Sequence, residues 1–183
     1  MHPRTKEVLD YLDTCRAKLE KAVAELPGAL HGERPGEDRW SVSEILEHLS
    51  LVEGRIDQLL MKELDAARAA GLAAERETSP VLPTLDLARV TNRSEPITAR
   101  EGSLPTGTVS TDASLMLLRK LRRALRDAIL AADGLALGTI RIPHPRLGTL
   151  DLYQWLAFVG GHEARHTAQI REVAAAVGAQ AGD

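Results

Sequence analysis

The chain has one cysteine, Cys15, so neither an internal disulfide nor a cysteine-built metal cage can form. Aromatic residues are almost as scarce, at 3% of its 183 residues. No stretch reaches the roughly 18 uninterrupted apolar residues of a membrane span. Met1-His2-Pro3-Arg4-Thr5-Lys6-Glu7 leads into an amphipathic pattern rather than an apolar signal segment. A dominant charge is missing too: 23 Lys and Arg stand against 26 Asp and Glu, for a net charge of −3. The densest basic run, Arg119-Lys120-Leu121-Arg122-Arg123, has no aromatic interleaved, and acidic Asp112, Asp127 and Asp133 lie before and after it. It reads as a solvated helix face and not as a phosphate-binding patch. These absences disfavour nucleic-acid and membrane partners and lead us to expect a soluble, cytoplasmic protein.

Ala and Leu are abundant, while aromatic and β-branched residues are few, which argues for helices over sheets. The length suits one domain spanning 1–183. Val8, Leu12, Cys15, Leu19, Ala22, Val23 and Leu26 form one helical face that Pro27-Gly28 ends. Cys15 lies in that stripe and reads as a buried small hydrophobe. A second helix opens on the capping box Ser41-Val42-Ser43-Glu44, with Trp40 placed to staple against Ile45. Its stripe is Ile45, Leu49, Val52, Ile56 and Leu59, and His48 falls within it.

A long connection over 71–110 follows, carrying Pro80, Pro83, Pro96 and Pro105, with a short turn or strand possible over Leu85 to Val90. A third helix from Thr111-Asp112 buries Leu118, Leu121, Leu125 and Ile129. Prolines then keep Ile142-Pro143-His144-Pro145 extended. A fourth helix runs from about Leu150 to Val177, with Gly178 as its C-cap. Four such stripes must bury against one another, so the fold expected is an all-α four-helix bundle.

His162 and His166, four residues apart, project about 40° apart around a helix and roughly 6 Å along it. Both lie in the apolar stripe, where a buried imidazole needs a polar partner. A divalent cation serves both at once. His48, at an inner position of another helix, is the third candidate ligand, and three histidines leave an open coordination position of the catalytic kind.

His162-Glu163-Ala164-Arg165-His166 also spells H-E-x-x-H, the zinc-protease helix motif. The extended form needs glycine and histidine where this chain has Gln169 and Glu172, and little chain remains for a distant glutamate ligand. An upstream histidine is the better third ligand.

The segments Trp40-Ser41-Val42-Ser43-Glu44-Ile45-Leu46-Glu47-His48-Leu49 and Gly161-His162-Glu163-Ala164-Arg165-His166-Thr167-Ala168-Gln169-Ile170 resemble the DinB-like family, which includes the YfiT-like proteins. Pro105-Thr106-Gly107 and Pro143-His144-Pro145-Arg146-Leu147-Gly148 look like the family as well. The resemblance implies a four-helix bundle holding nickel or zinc on three histidines, which fall here at His48, His162 and His166. It also implies frequent homodimers, and relatives that are metal-dependent hydrolases or S-transferases using low-molecular-weight thiols such as bacillithiol or mycothiol. Family membership does not fix the reaction.

A thiol transferase would hold an external thiol as its thiolate on the metal, since Cys15 is expected to be buried. A hydrolase would use metal-bound hydroxide and a general base, for which Glu163 and Glu44 are the available carboxylates. Glu44 has a competing part in the capping box. Arg165 and Gln169 are further candidates to line a cofactor or substrate pocket. His144 is another if its turn faces the site, although Pro-His-Pro favours the surface. The lack of an unmistakable base tilts the expectation towards the S-transferase acting on small electrophiles. A non-catalytic metal-binding or small-molecule-binding bundle is the remaining alternative.

Overall fold

The computed structural model describes residues 1–94 and 97–180; Pro96 of the long connection lies outside them. Five helices, α1 (Pro3–Ala24), α2 (Val42–Ala69), α3 (Leu87–Thr91), α4 (Thr111–Ala131) and α5 (Leu152–Gln180), carry most of the chain. Four are long, and they pack cyclically: α1 on α5, α5 on α2, α2 on α4, and α4 back on α1. The expected all-α bundle is therefore the fold, and the helices carrying the histidines, α2 and α5, are neighbours.

The helix starts follow local chemistry. Ser41 Oγ accepts from the Glu44 amide at 3.3 Å while Glu44 Oε2 accepts from the Ser41 amide at 2.9 Å, so the capping box forms as read. Trp40 packs on the apolar cluster that contains Ile45. Ser110 caps α4 by accepting from the Ala113 amide.

Two sequence expectations are corrected at the ends of elements. Gly178 is no C-cap: α5 continues through it to Gln180, and its backbone is not in the left-handed region that a glycine cap uses. The proline-rich segment after α4 is more than an extended turn. It pairs as an antiparallel hairpin of β1 (Arg141–His144) and β2 (Gly148–Asp151), with Gly148 at φ +77° where the chain re-enters β2. Residues 87–91, left open between turn and strand, form the short helix α3, capped by Asp86 and packed on α5.

The core is divided. One apolar cluster holds Leu9 and Leu12 of α1, Ile56, Leu60 and Leu64 of α2, Leu125 and Ile129 of α4, and the start of α5. The other holds Leu19 to Leu26, Val42 to Leu49, Leu118, and Ile170 to Val177. Between them in all four long helices falls a buried charged residue: Arg16, Glu53, Arg122 and Glu163. Arg122 thus departs from the solvated face expected of the basic run, being only 7% exposed. Val52, Leu59 and Leu121 are correspondingly only partly buried, because α2 and α4 turn charged residues inward at this level. No helix is long and apolar enough to cross a membrane, among the described residues.

Candidate metal centre

His48 of α2 and His162 and His166 of α5 come together, with one ring nitrogen from each lying within 4.8 Å of the others. Their ring centroids are 5.6 Å (His48 to His162), 4.9 Å (His48 to His166) and 4.6 Å (His162 to His166) apart. His48 and His166 are buried and His162 is half-buried, the most open of the three.

Hydrogen bonds orient two of the imidazoles. His48 Nδ1 lies 2.7 Å from the Ser103 carbonyl oxygen, and His166 Nδ1 lies 2.8 Å from Gln169 Oε1. Both partners are acceptors, so each Nδ1 carries the proton and each Nε2 keeps its lone pair for the cluster. His166 Nε2 in turn sits 3.2 Å from His162 Nε2. Two nitrogens held by one tetrahedral ion at about 2.1 Å each would stand about 3.4 Å apart. The donor set, its spacing and its oriented tautomers all fit a divalent cation.

Electrostatics agree with neutral rings, the form that can ligate a cation. Burial, with His48 and Arg165 adding repulsion, pushes His162 down to about 3. Burial, then His162 and His48, holds His166 well below the usual histidine value. Burial lowers His48 as well, against the opposing pull of its Ser103 hydrogen bond.

Aromatic rings wall the cluster. Trp40 stands 5.0 Å from His48, and Phe158, the sole phenylalanine, stacks on His162 at 5.8 Å. His144 packs on Phe158 at 4.4 Å and on Trp155 at 4.8 Å. It is half-buried instead of surface-placed, and its Nδ1 accepts from the Arg146 and Leu147 amides, closing the hairpin turn. Burial, Arg100 and Arg146 push it down to about 4. His144 therefore meets the cluster through Phe158 and stands outside the ligand group.

Neither carboxylate considered as a base is free. Glu163 is fully buried, not at a stripe edge: its Oε1 accepts from Arg16 Nε at 2.5 Å and its Oε2 from Arg122 Nη2 at 2.9 Å. Glu44 completes the capping box and pairs with Arg34 Nε at 2.9 Å. Arg165 is buried, with burial and the charges of Arg93 and Arg146 lowering it. Gln169 belongs to the site as the partner of His166.

The sequence reading missed Glu47, the neighbour of His48. Its carboxylate accepts from the Thr106 amide (2.9 Å), the Thr106 hydroxyl (2.7 Å) and the Gly107 amide (3.0 Å). That pins the end of the long connection onto α2 and so brings the Ser103 carbonyl to His48. Gly107, at φ +74°, makes the turn this requires, and a Cβ there would come 3.3 Å from Glu44 Oε1. Gly160 and Gly161 do the same service before His162: a Cβ at Gly160 would meet the Tyr11 ring at 2.6 Å, and one at Gly161 would meet Val90 at 2.9 Å. Their small size lets α1 and α3 close on α5 beside the cluster.

The sequence matches the family model of the DinB superfamily over residues 11–170. It is also 26% identical over 141 residues to the uncharacterized protein YuaE of Bacillus subtilis (strain 168), an alignment covering 77% of this chain and 81% of that relative.

Proposed function

The chain belongs to the DinB superfamily, and from that premise we propose that it binds one nickel or zinc ion on His48, His162 and His166 and acts as a metal-dependent S-transferase. It would join a low-molecular-weight thiol to a small electrophile. When bound, a divalent ion supplies a Lewis acid able to hold a thiol in its nucleophilic thiolate form.

The observation that carries this reading is a three-nitrogen cluster with no uncommitted carboxylate beside it among the described residues. Glu163, Glu44 and Glu47 each already accept hydrogen bonds from arginines, backbone amides or a hydroxyl. A hydrolase needs a base within hydrogen-bond reach of its water, whereas a metal-held thiolate needs none. The Trp40 and Phe158 rings offer apolar surface to a small electrophile. The protein's own thiol is unsuited to the part: Cys15 is buried, and burial pushes it up.

Elemental mass spectrometry on tag-free protein, beside the His166→Ala variant, tests the site. About one nickel or zinc per chain, lost in the variant, is the expected result. Metal-loaded protein is then assayed with a thiol and an aryl halide, and separately with esters and amides. Thioether formation without ester or amide cleavage supports the transferase, and the reverse pattern replaces it with hydrolysis. Protein that takes up neither metal removes both.

A further inference from the structure

Two helices, α1 and α4, give no residue to the histidine cluster, yet each sends one arginine into the buried layer that joins the helices that do. Arg16 of α1 donates through Nε to Glu163 of α5 at 2.5 Å and through Nη2 to both carboxylate oxygens of Glu53 of α2, at 3.0 and 2.9 Å. Arg122 of α4 repeats the pattern, with Nη2 at 2.9 Å from Glu163 Oε2 and 3.3 Å from Glu53 Oε1. It is itself tied to α1 by Nη1 donating to the Leu12 carbonyl at 2.8 Å. The side chains of both arginines and both glutamates are less than 10% exposed.

We propose that Arg16 and Arg122 are positioning residues for the three-histidine site: they clamp α2 to α5 through Glu53 and Glu163, fixing the rotation of the two ligand-bearing helices. The inference rests on the metal-site reading above. It gives the glutamate of the H-E-x-x-H segment an anchoring part in place of a general base.

The geometry is direct. Glu163 follows His162 by about 100° around the helix and stands about 60° from His166, so holding its carboxylate fixes the azimuth of both ligands. Apolar packing alone sets that azimuth loosely, because a helix rotated by 20° buries nearly the same stripe. An imidazole nitrogen roughly 6 Å from the helix axis would then move by about 2 Å, against a ligation tolerance of about 0.2 Å. A guanidinium presents several donors in a rigid plane and so sets both distance and direction. One fork gripping carboxylates from two helices sets their relative rotation.

The test uses full-length protein loaded with cobalt(II), whose visible spectrum reports coordination geometry, and nickel affinity measured against a competing chelator. Arg122→Lys keeps the charge but cannot reach both carboxylates. Glu163→Gln keeps the shape and weakens the ion pairs, and decides the matter if Arg122→Lys does not fold. Leu125→Ala, one turn along α4 in the apolar core, is the control for loss of stability alone. The expected result is at least a tenfold loss of nickel affinity and altered cobalt bands in the first two variants. Leu125→Ala, at equal or greater loss of Tm, should keep the wild-type spectrum and affinity. Arg122→Lys and Glu163→Gln matching Leu125→Ala in both readouts overturns the clamp while leaving the metal site standing. A wild-type protein that binds neither ion overturns the site and the clamp together.

Discussion

His48 and Ser103 stand 55 residues apart in the chain, yet Nδ1 of one lies 2.7 Å from the carbonyl oxygen of the other. With the matching bond from His166 Nδ1 to Gln169 Oε1 at 2.8 Å, this contact decides which nitrogen each ring offers a metal. Removing the side-chain partner should therefore cost affinity without unfolding the protein. Gln169→Leu is expected to weaken nickel or zinc binding by about 10- to 100-fold, with Tm within about 2 °C of wild type. Chelator competition measures the first and thermal denaturation the second. Unchanged affinity would show that the tautomer of His166 is set by something other than Gln169.

The Ser103 bond comes from a backbone carbonyl, so it is reached through the loop that carries it. Glu47 holds that loop by three hydrogen bonds to Thr106 and Gly107. Glu47→Ala leaves those donors without their acceptor, and a loss of about 1–3 kcal/mol is expected. Hydrogen exchange should locate the change: the Thr106 and Gly107 amides lose protection while those of Leu125 and Ile129 in the α4 core keep theirs. Uniform loss across all helices would mean that Glu47 supports the whole bundle and not this loop.

Much of this architecture was legible in periodicity, because the four stripes and the capping box at Ser41 are local patterns that a bundle must bury. The histidine trio was legible for the same reason, since each ring occupies a stripe position. The ion layer was not read, although a signal existed. Arg16 falls between Leu12 and Leu19, Glu53 between Leu49 and Ile56, and Arg122 between Leu118 and Leu125, each where the stripe calls for an apolar residue. A charged residue in one stripe is commonplace. Only the fold reveals that four of them sit at one level, where opposite charges compensate one another. The hairpin was hidden for a different reason: its pairing joins Ile142 to Leu150 across a turn containing Pro145, and short pairing of that kind has almost no periodic signature.

Glycines on α5 should respond to substitution with opposite signs. A Cβ at Gly160 would come 2.6 and 2.8 Å from carbons of the Tyr11 ring and 3.5 Å from Cys15 Sγ, so the Tyr11 ring or α1 itself must shift. Gly160→Ala is expected to destabilise by about 1–3 kcal/mol, roughly 3–10 °C in Tm for a chain of this size. Gly178 meets nothing within 4 Å and lies within α5. Gly178→Ala should stabilise by up to about 1 kcal/mol through helix propensity alone. Thermal denaturation of the two variants side by side checks both, and a destabilised Gly178→Ala would contradict the helical geometry described for that turn.

The buried layer also carries an imbalance of charge. Two guanidiniums, Arg16 and Arg122, face three carboxyls, Glu53, Glu163 and Asp57, and Asp57 is 2% exposed with neither carboxylate oxygen hydrogen-bonded among the described residues. Burial pushes Asp57 up from 3.8 to about 7, more than Arg122 and Arg16 pull it down, and Glu163 adds to the rise. The folded value lies above the unfolded one, so the native protein holds a proton that the unfolded chain releases. The stabilisation from that proton is complete below about 3.8 and is lost as the pH rises through about 7. Asp57→Asn copies the neutral acid and has nothing to release. Compared with wild type in metal-free protein, the variant should gain stability progressively between about pH 4 and pH 7 and stay level above that, ending about 1–3 kcal/mol ahead at alkaline pH. The difference between the two proteins is the readout, because the buried histidines titrate in both and cancel. Parallel curves would mean that Asp57 is ionised in the native protein throughout, and the layer's extra proton would then belong to Glu53, which burial and the neighbouring Glu163 push up.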